Sequence, residues 1–399
     1  MPQHNTPVQR SSQYATISRK AQDIRPFLVM DVLERAQAIE RDSGVNIIHL
    51  EVGEPDFDTP SAIVEAASQA MRDGDTHYTH SLGLLELRQA IATWYHTHYR
   101  VSIAPEHIIV TSGSSPAILL VLATLLDPGD EVILSDPRYA CYANFIRLCD
   151  GVTVDVRVDA AEGFQYTAAM VRRHLSSRTK AILINSPANP TGTLMSPSEM
   201  ARIAEIGPLV ISDEVYHGLV YEGRAHSILE YTDQACVLNG FSKLFAMTGW
   251  RLGYVIAPPS FMRPMQKIQQ NLFISAGAFV QRAGVAALQH ARPDVQRMVE
   301  MYDQRRRVML AGLRDIGFRV AHDPTGAFYV FADATRFGSD SHALAFDILE
   351  HAKVAVAPGI DFGANGEGYL RFSYANSLEN IHEGLRRLKQ YLGHGTPHP

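Results

Sequence analysis

The chain has 399 residues, of which 46% are hydrophobic and 20% charged, enough for two or three domains around a large core. Its formal net charge of -6 argues against nucleic acid or an anionic membrane surface as a partner, since both call for a basic surplus. No apolar run is long enough to span a bilayer.

The first twenty-two residues are polar, rich in Ser and Gln, and contain no acid before Asp23. They lack the apolar segment of a secretory signal, so they are expected to be a disordered or arm-like tail on a cytoplasmic protein. A helix follows at residues 30–42. From about residue 62 to 290, short β-branched runs alternate with longer amphipathic ones. The spacing predicts strands over residues 107–111, 131–134, 153–157, 181–185, 209–212, 235–239 and 254–257. Helices are expected between several of them, at residues 115–126, 142–149, 167–175 and 197–206. The helix at 115–126 opens on Ser114-Ser-Pro116 and closes at Asp127-Pro-Gly129. Such alternation specifies an α/β fold built on a mostly parallel, seven-stranded sheet sandwiched by helices. A single helix across residues 259–290 is disfavoured by Pro264 and Gly277. A long helix around 299–312 begins the last segment, which then reads strand, strand, helix, strand, helix. The expected organisation is a large domain at 61–294 and a smaller α+β domain made from both chain ends, 23–60 and 295–399. The terminal stretch from Gly393, with its two histidines, is expected to fray.

Three cysteines, Cys141, Cys149 and Cys236, lack metal-ligand spacing and are expected to be free thiols in a reducing compartment. His96 and His98 are expected to be solvated, and no metal site is expected.

The chemistry concentrates in Gly240-Phe-Ser-Lys-Leu-Phe-Ala-Met-Thr-Gly-Trp-Arg-Leu-Gly253. Apolar neighbours disfavour the ammonium form of Lys243, which leaves the free amine that a Schiff-base nucleophile needs. Arg251, about two turns away if the stretch is helical, offers a permanently charged fork for a phosphate. A lysine that carries an aldehyde and an arginine that holds a phosphate suggest pyridoxal phosphate. Other polar residues fall at the expected strand ends, where open parallel sheets bind ligands. Asp213 is suited to pair with a pyridine nitrogen and keep it protonated. Asn189 and Tyr216 suit the ring oxygen. Gly113, Ser114 and Ser115 form a turn at a helix N-terminus, where an anion is favoured, and Ser242 is a further phosphate candidate. Tyr139 is a candidate for stacking on the ring. Each has a plainer reading too: Ser114 and Ser115 as helix caps, Asp213 as a cap, Tyr139 and Tyr142 as core aromatics, Asn189-Pro-Thr-Gly192 as an ordinary turn.

These residues lie in motifs that run from about Arg25 to Leu392. They are Glu51-Val-Gly-Glu-Pro-Asp-Phe-Asp-Thr-Pro60, Tyr78-Thr-His-Ser-Leu-Gly83, Asn185-Ser-Pro-Ala-Asn-Pro-Thr-Gly192, Ser212-Asp-Glu-Val-Tyr216, Ser242-Lys243 through Gly253, and Leu370-Arg-Phe-Ser373. In this order they resemble the class I aminotransferases, the aspartate aminotransferase family in the broad sense, of pyridoxal-phosphate fold type I. The resemblance implies that Lys243 is the Schiff-base lysine and Arg251 the phosphate arginine. It implies that Asp213, Tyr216 and Asn189 bind the cofactor ring and that Tyr139 stacks on it. Arg371 resembles the arginine that grips the substrate α-carboxylate, and Gly53 the backbone position beside it. Tyr78 resembles a tyrosine that reaches the phosphate of a neighbouring subunit, so a homodimer with shared sites is implied. Cis peptides before Pro187 and Pro190 are implied as well.

The chain departs from the family at three places. Ser115 stands where relatives often carry Lys or Gln, Gly240 where aspartate enzymes have a serine, and Phe27 where many relatives have a serine. The activity so implied is ping-pong transfer of an α-amino group between an L-amino acid, of aspartate, alanine, glutamate or aromatic type, and a 2-oxo acid. The side-chain pocket stays open: Arg25, Arg138 and Arg224 are candidate second cations, and Phe27, Tyr78 and Phe273 candidate apolar walls. A C–S or cyclising lyase on the same fold is the alternative enzyme. A cofactor-sensing transcription regulator would need a basic DNA-binding module ahead of residue 23.

Overall fold

The computed structural model describes residues 17–393. Its strands, in chain order, are β1 (Ile48–His49), β2 (Ile108–Thr111), β3 (Glu131–Asp136), β4 (Val152–Arg157), β5 (Thr179–Asn185), β6 (Leu209–Asp213), β7 (Ala235–Gly240), β8 (Gly253–Ile256), β9 (Tyr329–Asp333), β10 (Val354–Ala355), β11 (Ala357–Pro358) and β12 (Tyr369–Ser373). The seven strands expected from the sequence form one sheet in the order β2-β8-β7-β6-β5-β3-β4. Successive residues point to opposite faces, and both faces are buried in the inner strands, which read as nearly continuous apolar runs, while the edge strand β4 is largely exposed. Ile109, Val132, Leu183 and Ile211 pack with the helix Ser114–Leu125 on one side. Val110, Ile133, Ile182 and Val210 face a second, larger core on the other.

Strand β8 pairs antiparallel with both β7 and β2, while the remaining pairs are parallel. The reason is the connection. A parallel return needs a crossover of a dozen or more residues, usually helical. Residues 241–252 instead form turns, so Lys243 and Arg251 are not on a common helix. Arg251 takes a left-handed conformation with φ 56°.

Elements from the two chain ends pack together. Strand β1 pairs in parallel with β10, with Ile48 beside Val354, and β11, β12 and β9 form an antiparallel three-stranded sheet. The long helix Arg292–Ile316 runs further at both ends than the sequence pattern implied and closes on Gly317 at φ 111°. Beyond it the expected second strand before the next helix is absent among the described residues. Arg319 makes only an isolated bridge to Asp333, and the extra pairing comes instead from β10 and β11 after the helix Ser341–Ala352. Residues 259–290 do form two helices, Pro259–Leu272 and Ala278–His290. Pro264 is tolerated inside the first, and the break falls at 273–277.

Residues 1–16 and the histidines of the terminal stretch lie outside the described residues. Within the segment expected as a tail, Arg19–Asp23 forms a short helix capped by Ser18. Lys20 pairs with Asp150 at 2.7 Å and Arg147 donates to the carbonyl of Asp23 at 3.1 Å, which fixes this arm on the helix Cys141–Leu148. Of the described residues, no helix is long and apolar enough to cross a membrane.

Candidate active site

The carboxyl ends of β5, β6 and β7 deliver Asn189, Asp213 and Lys243 to one cavity of about 320 Å³, the place where parallel sheets bind small ligands. Ser114, Ser115, Tyr139, Tyr216, Ser242, Arg251, Gly53 and Arg371 also line it.

Lys243 donates from Nζ to the carbonyl of Gly53 at 2.6 Å. Burial pushes its pKa down from 10.5 to about 8; Arg371 and Arg251 push the same way, and Glu54 and Asp213 oppose them. The amine is therefore half free at a mildly basic pH, near 8.

Asp213 ends β6 and is buried. It accepts from Tyr142 Oη at 2.5 Å and from the backbone N–H of Val215 at 3.1 Å. Burial raises its pKa, and the two hydrogen bonds and Lys243 pull against that. Tyr216 exchanges a hydrogen bond with Tyr329 at 2.8 Å. The loop after β5 carries cis peptide bonds before Pro187 and Pro190, and a third precedes Pro137. Asn185 accepts from the backbone N–H of Asn189 at 2.8 Å, which holds the loop inward.

Arg371 projects from β12 and is almost wholly buried. Nη1 donates to Asn189 Oδ1 at 2.9 Å, and Nη2 donates to the carbonyl of Glu51. The guanidinium lies over the rings of Tyr329 and Phe362, 4.3 and 4.8 Å from their centroids. Its Nε has no partner. A buried charged donor left unsatisfied is costly, and the arrangement suits an incoming carboxylate. Gly53 is required by packing, because a Cβ there would stand 2.3 Å from Tyr329 Oη.

The anion cup is built by the start of the helix Ser114–Leu125. Gly113 precedes it at φ 102°, a conformation that favours glycine, and no side chain caps the helix. Its first N–H groups are thus open to an anion. A Cβ on Gly113 would stand 2.5 Å from Arg251 Nη2, so the guanidinium packs directly on the turn. Arg251 Nη1 donates to the carbonyl of Thr248 at 2.9 Å.

Tyr78 is 80% exposed and lies outside the cavity. The three arginines suggested as second cations are elsewhere. Arg138 pairs with Asp155 at 3.2 Å, Arg224 pairs with Glu230 at 3.1 Å, and Arg25 does not line the cavity. Phe27 does line it, whereas Phe273 does not. Tyr142, read from sequence as a core aromatic, turns out to hold Asp213. Tyr329 carried no sequence signal, and Glu54 lies in the Glu51–Pro60 motif with no role read from it.

The donor set fits pyridoxal phosphate: a depressed amine for the aldehyde, a buried carboxylate for the ring nitrogen, and an uncapped helix start with an arginine for the phosphate. A covered parallel sheet with this set at its strand ends defines an enzyme that depends on that cofactor. The chain belongs to the aminotransferase class I and II family, whose model matches residues 45–388, and it is an aminotransferase.

It is 42% identical over 380 residues to the (5-formylfuran-3-yl)methyl phosphate transaminase of Methanocaldococcus jannaschii, covering 94% of this chain and 99% of that protein. It is 37% identical over 385 residues to the aspartate/prephenate aminotransferase of Thermus thermophilus, covering 94% and 99%. The solved aspartate aminotransferase of Thermus thermophilus with maleate superposes with a TM-score of 0.90 at 36% identity, over 94% of this chain and 99% of that one. An aminotransferase from Mycobacterium tuberculosis superposes with a TM-score of 0.91 at 36% identity, over 96% and 100%. The lyase alternative is not favoured by these relatives.

Proposed function

We propose that Lys243 carries the cofactor aldehyde covalently and then works as the proton carrier of amino transfer between an L-amino acid and a 2-oxo acid. Asp213 would hold the ring nitrogen, Asn189 and Tyr216 the ring oxygen, and Tyr139 the ring face. Gly113, Ser114, Ser115, Ser242 and Arg251 would hold the phosphate. When bound, the protonated ring supplies an electron sink for the charge that develops at the substrate α-carbon.

The chain's own residues do the rest. Arg371 grips the substrate α-carboxylate in a bidentate fork, beside the backbone of Gly53. That grip fixes the α-carbon near Lys243. Once displaced by the substrate amine, Nζ of Lys243 takes the α-proton as a general base. As an ammonium it then delivers a proton on the far side of the transferred nitrogen. A basicity near 8 serves both directions, because neither protonation state is scarce at the working pH.

The observation that carries this reading is the buried amine of Lys243 sharing one cavity with Asp213 and Arg371. Replacement Lys243→Ala tests it. The variant is expected to lose turnover and the visible absorbance of the lysine-linked cofactor, and borohydride reduction should tag only the parent, at residue 243. A fully active variant would refute the assignment.

The same reading includes a homodimer in which the exposed Tyr78 reaches the partner's phosphate site, and a cytoplasmic location. It also divides the chain into a large domain at 61–294 and a small one from 23–60 and 295–399, with the pairing of β1 and β10 in support.

A further inference from the structure

Four apolar residues that line the cavity, Phe27, Val29, Met30 and Phe145, are not accounted for by the cofactor or by the carboxylate grip. Phe27 lies edge-on to Tyr139 with ring centroids 6.2 Å apart. The wall is held in place from both sides. On one side, Asn144 accepts from the backbone N–H of Arg25 at 3.3 Å and donates to its carbonyl at 3.0 Å. On the other, the carboxylate of Asp361 caps the helix Leu28–Ser43 by accepting from the N–H groups of Leu28 and Val29 at 3.1 and 3.2 Å. Phe27 itself offers that helix no side-chain cap. The residue after Asp361, Phe362, is one of the two rings under Arg371. One short segment thus fixes the apolar wall relative to the carboxylate grip.

The charges on the cavity point the same way. Lys243, Arg251 and Arg371 are its only cations among the described residues, and each already has a role. Glu54 adds a negative charge. A second substrate carboxylate would meet Phe27 and Phe145 with no cation of the same protomer to pair with, and an unpaired carboxylate against an apolar surface is strongly disfavoured.

We propose that this wall is the substrate side-chain pocket and that the enzyme selects amino donors with aromatic or branched aliphatic side chains over aspartate. The proposal rests on the transaminase reading of the same cavity, with Arg371 on the α-carboxylate.

The test is a set of half-reactions of the holoenzyme with phenylalanine, leucine and aspartate, followed by loss of the lysine-linked absorbance. Binding of the unreactive analogues 3-phenylpropionate and succinate is measured by calorimetry in parallel. The expected kcat/KM for phenylalanine or leucine exceeds that for aspartate by at least about tenfold. Phe27→Arg is expected to move the ratio toward aspartate, and the binding ratio toward succinate, by about tenfold or more. Met30→Arg, at a residue 43% exposed, keeps the test open should the first variant fail to fold.

Equal or better use of aspartate by the parent protein overturns the proposal and leaves the transaminase reading intact, because the half-reaction still runs. An unchanged ratio in the folded arginine variants overturns the placing of the pocket. Failure of every donor to react overturns both the pocket and the reading beneath it.

Discussion

If burial sets the basicity of Lys243, the protein freed of its cofactor will capture pyridoxal phosphate with a pH dependence that levels off near 8. Only the neutral amine attacks an aldehyde. A fall from 10.5 to about 8 corresponds to ~3 kcal/mol against the ammonium form. At pH 7 it leaves about 10% of the amine free, against ~0.03% for an ordinary lysine, so capture at neutral pH gains roughly 300-fold. Stopped-flow absorbance of the cofactor-free protein, mixed with pyridoxal phosphate between pH 6 and 10.5 (about the lysine range), measures this directly. Each rate is divided by that of a simple alkylamine under the same conditions, which removes the titration of the cofactor itself. Glu54 raises the basicity of Lys243, so Glu54→Gln is expected to move the levelling point to lower pH. A normalised rate that stays flat up to the highest pH and does not respond to Glu54→Gln, as though the amine had ordinary basicity throughout, would refute the argument from burial.

Three further outcomes follow from the geometry. Gly113→Ala places a Cβ 2.5 Å from Arg251 Nη2 at φ 102°, and is expected to weaken cofactor affinity about 10- to 100-fold in a fluorescence titration while leaving the circular dichroism native. Tyr142→Phe removes a hydrogen bond that holds the Asp213 carboxyl down; the acidic limb of the pH–rate profile is expected to move to higher pH, with kcat lowered about 10- to 100-fold. Arg371→Lys keeps the charge but loses the fork; KM for every amino donor is expected to rise about tenfold or more, with the absorbance of the bound cofactor retained.

Much of the sheet could be read from the sequence because strands buried on both faces leave uninterrupted apolar runs, such as Ala181–Ile184 and Val210–Ile211. The direction of β8 could not. It depends on whether residues 241–252 wind into a helix, and a stretch with Gly240, Gly249 and Gly253 but apolar neighbours supports either outcome locally. Pro264 misled for a related reason. It sits six residues into its helix, where the pattern implies a break, yet the helix continues and the chain bends only at Phe273–Gly277. The candidate site was legible where one residue type does one job: an amine at Lys243, a carboxylate at Asp213, a fork at Arg251 and Arg371. It was not legible where a side chain acts on another one. Tyr142 reads as a core aromatic until the fold brings it to Asp213, 71 residues away in sequence. Tyr329 bonds Tyr216 across 113 residues, and no local pattern encodes such a meeting. The distant arginines show the converse: Arg138 and Arg224 satisfy the charge a dicarboxylate pocket would need, but the fold spends both on nearby acids.

The carboxylate that caps the helix beside Phe27 lies 332 and 333 positions later in the chain than the two N–H groups it receives. A ribosome adding ~5–20 residues per second needs about 17–67 s between making the one and making the other. For that interval the central sheet can assemble while the apolar side of the cleft is held by Asn144 alone and lacks the cap on its helix. Nascent molecules would thus acquire a place for the cofactor before they acquire a means of choosing among amino acids.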